Sequence, residues 1–276
     1  MTWATVRDRL LYGHTDAAHM VAPLAIATAL GRDRPAVPMA VPFILGLNGN
    51  AITVSTALGE ALGLGDALGD PRAIGEALGA VAADARRRGR PLRFGVVHRY
   101  SSHNYMLRYW LAEVGIRPDT DLEITVTSPP FAADALSAGE IDGICVGEPW
   151  NSIAVDRGVG RIALATAQIW RRGVEKVLAL RADTAAARPV EVAGLIRALH
   201  AAADDLAVDG LPADGAVGVA ECLAGHDVVR LHSAVAGAGV PHAVHRGDQG
   251  AGGGAVDAQR DVVLPPGARR GQAARG

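Results

Sequence analysis

The sequence predicts a helix-rich α/β protein made of two similar lobes. Three observations carry that expectation. Half of the 276 residues are hydrophobic (49%) but only 4% are aromatic, so the core must be built from Ala, Val and Leu. Apolar runs of strand length alternate with amphipathic helical stretches along the first 205 or so residues. Finally, two segments superimpose without gaps, pairing Leu10 with Leu136, Gly13 with Gly139, Asp16 with Asp142 and Pro23 with Pro149. In each copy a glycine closes a helix in the left-handed conformation and an aspartate begins the strand packed beneath it.

Taken in order, Thr2 caps a helix in which Trp3, Val6 and Leu10 share a face, ended by Gly13. Residues 16–20 read as a buried strand turning at Pro23. Residues 38–45 form an apolar strand leading into the loop Gly46-Leu-Asn-Gly-Asn50, and residues 51–55 resume an extended pattern. An amphipathic helix over 70–88 ends in Arg86-Arg87-Arg88, a run that suits a solvated helix C-terminus better than an anion or nucleic-acid patch. Residues 92–97 read as a strand, Tyr100-Ser-Ser-His-Asn104 as a polar loop, and 105–114 as a helix with Trp110 and Leu111 inward. Strands over 122–126 and 161–165 flank the second repeat copy, with its helix over 130–138 and strand over 142–146. A strand over 176–180 and a long Ala/Leu helix over 189–208 follow.

Charge and cysteine content narrow the function. A net charge of −2 gives no basic field to hold nucleic acid or an anionic membrane, so any recognition of charge is local. Cys145 and Cys222 make neither a disulfide framework nor a zinc site, and no stretch of 18 apolar residues is present. Of the 27 basic residues, one is lysine, Lys176. No signal peptide is visible, and the chain enters a helical pattern with no preceding strand, which points to a truncated or misassigned start. From about Gly225 the character changes: residues 231–276 contain ten glycines and no Phe, Tyr, Trp or Lys. That segment is expected to be an irregular or disordered tail, or a shifted reading frame of a GC-rich gene.

Four loops have the address where an open parallel sheet binds ligands, beyond strand C-termini and near helix N-termini. Tyr100-Ser-Ser-His-Asn104 offers backbone N–H groups, hydroxyls and an imidazole, a set that suits an anion. Gly46-Leu-Asn-Gly-Asn50 permits close backbone approach, although Asn-Gly is also a plain turn signal. Gly147-Glu-Pro-Trp-Asn151 brings a carboxylate that could bind a cation, hold a donor or cap a helix. Glu175-Lys176 brings a compact ammonium, where Arg would bring a planar fork. The enzymatic alternative, a Cys145–His103 nucleophile pair, places the thiol inside an apolar strand, where a structural thiol is the default. His14, His19, His98 and His103 lack metal-ligand spacing.

Several long motifs resemble one family, the solute-binding proteins of ABC importers for nitrate, nitrite and bicarbonate, with their cytoplasmic nitrate/nitrite sensor relatives. The matching text is Trp3-Ala-Thr-Val-Arg-Asp-Arg-Leu, Asp16-Ala-Ala-His-Met-Val-Ala-Pro-Leu, Leu47-Asn-Gly-Asn-Ala-Ile-Thr53 and Ser101-Ser-His-Asn-Tyr-Met-Leu-Arg-Tyr-Trp-Leu111. It continues through Gly139-Glu-Ile-Asp-Gly-Ile-Cys-Val-Gly-Glu-Pro-Trp-Asn151 and Glu175-Lys-Val-Leu.

The resemblance implies an α/β type II periplasmic-binding-protein fold, with two lobes, an anion clamped between them and no cofactor. It assigns the ligand residues to Trp3, Gly46, Asn50, His103 and Lys176, and the cleft wall to Pro129, Val146 and Glu148. In those roles Lys176 supplies the charge, His103 and Asn50 donate to the anion's oxygens, Gly46 offers backbone and Trp3 covers a face. The lobes are expected as residues 1–90 (lobe 1, incomplete), 91–174 (lobe 2) and 175–224 (return to lobe 1), with a tail over 225–276. Hinges are expected near residues 90–93 and 172–176. The family's first strand and helix, which would precede Trp3, and its usual C-terminal segment are missing. The partners implied are nitrate, nitrite or bicarbonate, with importer membrane subunits or a regulatory protein. The location is periplasmic or membrane-anchored for an importer and cytoplasmic for a sensor.

Overall fold

Helix α1 (Trp3–Leu11) is capped by Thr2, whose hydroxyl accepts from the Thr5 N–H, and the chain reverses at Gly13 with φ +71°. The Gly13 N–H donates to the Leu10 carbonyl at 3.3 Å and the His14 N–H to Arg9 at 2.8 Å, which satisfies the helix's last acceptors. Strand β1 (Ala17–Val21) follows, then α2 (Ala22–Ala29), whose Pro23 sits in the first turn, where its missing N–H costs nothing. The turn expected at Pro23 is thus a helix start. Strand β2 (Met39–Leu47) completes this stretch. In the computed structural model, residues 2–65 and 68–207 are described. Cys222, the change of character at Gly225 and the expected tail lie outside them.

The chain then enters a second sheet. Strand β3 (Asn50–Ser55), helices α3 (Thr56–Ala61) and α4 (Pro71–Arg87), β4 (Arg93–Val96), α5 (Ser102–Glu113) and β5 (Glu123–Val126) come in order. A 3-10 turn (Pro129–Phe131) leads to α6 (Ala132–Ser137), β6 (Gly143–Gly147), α7 (Trp150–Asp156), β7 (Gly160–Ala165) and α8 (Thr166–Ile169). Here the second repeat copy reuses the first one's geometry. Gly139 takes φ +67°, its N–H reaches Leu136 at 3.1 Å, and the Glu140 N–H reaches Ala135 at 2.9 Å. The strand order is β5-β4-β6-β3-β7, with β5, β4 and β6 parallel and β3 antiparallel to both β6 and β7. Parallel neighbours require crossovers, which α5 and α6 supply.

Strand β8 (Val174–Arg181) returns to the first sheet, where it lies between β1 and β2 and is antiparallel to each. Helices α9 (Ala182–Ala187) and α10 (Pro189–Ala207) end the described chain. The two repeat copies therefore fall in different sheets.

The larger core lies between the five-stranded sheet and α4 and α5. Ile52, Phe94, Leu107, Leu111 and Leu164 are fully buried there, and the inward Trp110 donates its indole N–H to the Pro71 carbonyl at 2.8 Å. Phe94 packs close against Gly143, where a Cβ would come within 2.4 Å of the ring. A smaller cluster fills each repeat copy: Leu10, Met20, Leu24 and Val177 in one lobe, and Leu136, Ile144, Val146 and Ala154 in the other.

The lobe boundary differs from the expectation. Residues 50–90 do not belong to the first lobe, because β3 pairs with β6 and β7. The first crossover is the Asn48-Gly49 turn rather than the stretch at 90–93, and the second lies between Ala165 and Val174. An Asn-Gly turn with positive φ at both residues (54° and 77°) ordinarily closes a hairpin. Here it passes the chain from one sheet to the other, since β3 finds its partners in the second lobe.

Candidate functional site

The site is built around a side chain that the motif assignment does not include, Glu175. This carboxylate is 2% exposed. In the β2–β8 register Gly46 faces Lys176 and Leu47 faces Val174, so Glu175 is the extra residue of a β-bulge. Strict alternation would send Glu175 and Lys176 to opposite faces of the sheet. The bulge re-aims them, and the Lys176 ammonium closes onto Glu175 Oε1.

Donors from the second lobe meet the same carboxylate. Asn50, the first residue of β3, donates from Nδ2 to Glu175 Oε2 at 2.7 Å, and the Ser102 hydroxyl donates to the same oxygen. His103 Nε2 lies 3.4 Å from Glu175 Oε1, close enough for electrostatic attraction but not aligned for a hydrogen bond. Ser102 and His103 occupy the first turn of α5, capped by Ser101, which accepts from the Asn104 N–H at 3.2 Å. The polar loop expected at 100–104 is thus half helix, and its imidazole stands at a helix N-terminus.

Burial shapes the charges. It pushes the His103 imidazole down to about 4, with Glu175 opposing and Lys176 assisting, so His103 is neutral at neutral pH. Burial also works against a charged Glu175. The cationic form of His103, Lys176 and the Ser102 hydroxyl together outweigh it and hold the carboxyl below its ordinary value. Since His103 carries no charge at neutral pH, the cation opposite Glu175 there is Lys176. Among the described residues, three buried side-chain polar atoms have no hydrogen-bond partner, namely Asn50 Oδ1 and both ring nitrogens of His103. Unpartnered polar atoms in a fold that satisfies most others mark a place where a ligand is expected.

Of the remaining assigned residues, Trp3 and Gly46 lie beside Lys176. Trp3 is half-buried and packs against the small clusters of both lobes. The Lys176 ammonium stands 5.5 Å from its ring, and His19 meets it edge-on at 5.8 Å. Gly46 lies beside Lys176 in the register, and a Cβ there would meet nothing within 4 Å, so the space beside it is open. Val146 is buried in the cluster beneath α6 and α7, against which Trp3 also packs. Pro129, itself half-buried, opens the 3-10 turn, whose other two residues are exposed. Glu148 accepts from the Ser152 N–H at 3.2 Å and its hydroxyl at 2.8 Å, fixing the start of α7, which is the capping role its sequence left open.

Motif matching missed Glu175, Ser102 and Gly147. Gly147 faces Asn50 in the β3–β6 register, and a Cβ on it would stand 3.2 Å from Asn50 Oδ1 and 3.7 Å from His103 Nε2. Its lack of a side chain makes room for Asn50 Oδ1, whereas a Cβ would only touch His103. The available signals were an acid adjoining the single lysine, a second serine before the histidine, and a glycine ending a buried strand. Cys145 is fully buried, and burial, with Glu175 nearby, pushes its thiol above the ordinary range, which leaves no thiolate for the nucleophile pair. Among the described residues no group of three or more His, Cys, Asp or Glu side chains is placed to hold a metal, and no helix is long and apolar enough to cross a membrane.

Residues 1–220 match the model of the NMT1-like family. The chain is 36% identical over 200 residues to the nitrate import ATP-binding protein NrtC of Synechocystis sp., covering 72% of this chain and 28% of that protein. It is 32% identical over 209 residues to the nitrate/nitrite binding protein NrtA of Synechococcus elongatus, covering 73% of this chain and 45% of that one. The chain therefore spans less than half the length of either relative. Among solved structures, the periplasmic nitrate-binding protein NrtA from Synechocystis superimposes with a TM-score of 0.70 at 25% identity, covering 83% of this chain and 57% of that one. The two-sheet architecture is that of a periplasmic solute-binding protein.

Proposed function

The chain belongs to the NMT1-like family, and from that membership together with the donor set around Glu175 we propose that it binds a small inorganic anion, nitrate or nitrite, as the solute-binding part of an ABC importer. The observation that carries the reading is the convergence of donors from both lobes on one point: Lys176 from β8, Asn50 from β3, and Ser102 and His103 from α5. A ligand held there is contacted by both lobes, which is how a two-lobed receptor couples binding to closure. Nitrate is planar, monovalent and weakly hydrated, so a single cation with neutral donors balances it. A ring of arginines would suit phosphate or sulfate instead. Bicarbonate shares the size and charge and differs in bringing an O–H donor.

NrtA and NrtC are named for nitrate binding and nitrate import, which supports the importer membrane subunits as partners of this chain. The enzymatic alternative is set aside, since NrtA is a binding protein and Cys145 is sealed in the core. Titration calorimetry with nitrate, nitrite and bicarbonate tests the reading. Nitrate or nitrite is expected to bind, and Lys176→Ala to weaken it by roughly 10- to 100-fold, the range for losing a charged hydrogen bond. Unchanged affinity in that variant refutes the role given to Lys176.

A further inference from the structure

We propose that Glu175 is the resident anion of this site and that an inorganic anion binds only together with one proton, which the Glu175–His103 pair takes up from solvent. The inference rests on the anion-binding reading and adds a linkage to it. The geometry points this way because the donors that would receive an external anion are already directed at a carboxylate of the same chain. Asn50 Nδ2 and Ser102 Oγ both serve Glu175 Oε2, and Lys176 Nζ serves Oε1. Lys176 and Glu175 together sum to zero charge, so a monovalent anion entering among these donors would leave the buried site with one negative charge in excess. Two anions sharing a buried site cannot both stay ionised without strong mutual cost, and the usual resolution is that one proton is taken up.

Two acceptors for that proton are in place. His103 is 1% exposed, neutral at neutral pH, and has two unpartnered ring nitrogens, so it can take a proton and donate to the newcomer. Glu175 can take it instead and release its donors to the incoming oxygens. The other titratable groups facing Glu175 do not compete. Lys176, its neighbour on β8, is already paired with Glu175 Oε1. Cys145, behind it on β6, has a thiol raised by burial, so it remains protonated. His19, on β1, is held below its ordinary value by burial and by Lys176. A like-charge newcomer raises the affinity of the pair for a proton, whereas in the protein's own arrangement both members resist one.

Nitrate is the right probe because it does not titrate in the working range, so any proton counted belongs to the protein. Nitrate is titrated calorimetrically into the full chain between pH 5 and pH 8, in buffers of contrasting ionisation enthalpy, which gives the number of protons bound per nitrate. The expected result is uptake approaching about one proton, with affinity rising by up to about tenfold for each pH unit lowered. In Glu175→Gln, which removes the resident charge, the uptake should vanish and the affinity should become flat with pH and exceed that of the unmodified chain at pH 8. Nitrate binding to the unmodified chain with no proton uptake and no pH dependence overturns the proposal, whether or not the variant folds. Failure of nitrate to bind at any pH is a different result: it overturns the nitrate reading itself, and this inference with it.

Discussion

His103 is held neutral by burial, which pushes its imidazole down to about 4. In the unfolded chain the same group titrates near its ordinary 6.5, so between those two values the unfolded state binds more protons and acid favours unfolding. The lowered Glu175 acts in the same sense further down, because its contribution is present above the unfolded carboxyl value and is lost as pH falls. Thermal unfolding should therefore show stability falling by about 3 kcal/mol from His103 alone as pH drops from 6.5 to 4. His103→Gln should flatten that slope, and a slope unchanged in the variant would place the acid sensitivity elsewhere. At this scale the sequence is a partial guide. It singles out Lys176 by composition and His103 by its place after two serines, because rarity and local context are visible in text. Glu175 escapes because its role depends on a one-residue bulge in the pairing with β2, and a bulge is a relation between two strands that neither strand states alone.

Elements show the same division. Helices α1 and α4 and the strands of both sheets are legible from caps, glycine stops and apolar periods, since those signals are local. The place where the chain changes sheets is not local. Asn48-Gly49 reads as a plain turn, and only the pairing of β3 with β6 and β7 makes it a crossover. That crossover is tied to the returning one. The Asn48 N–H donates to the Gly173 carbonyl at 2.8 Å, the Gly173 N–H donates to Asn48 Oδ1 at 3.0 Å, and Asn48 Nδ2 donates to the Arg171 carbonyl at 2.9 Å. Asn48→Ala removes the two side-chain bonds, worth about 1 kcal/mol each, and places a residue less tolerant of positive φ at 54°. A destabilisation of about 2 kcal/mol is expected in denaturant titration, together with faster amide exchange at Gly173. Unchanged exchange there would show that the backbone pairing alone holds the crossovers together.

For the whole molecule, a second set of contacts joins the lobes beside the site. Asp33, in the loop between α2 and β2, faces Arg99 Nη1 at 3.4 Å and the Tyr100 hydroxyl at 3.3 Å, immediately before the Ser101 cap of α5. These groups are largely open to solvent, so their attraction is worth no more than about 1 kcal/mol and is screened by salt. Asp33→Asn should weaken nitrate binding by no more than about fivefold in dilute buffer and leave it unaffected in high salt. A larger effect, or one that persists in salt, would make Asp33 part of the site rather than of the closure. The paired crossovers limit what that closure can be. A body attached at one point can swivel in any direction, but one attached at two adjacent points turns freely only about the line through them. Because Asn48 and Gly173 fasten those points side by side, the lobes are left with one easy rotation, and twisting or sliding must break the fastening. Asn50 and Glu175 lie only two residues from that line, one on each lobe, so they move least as the lobes swing.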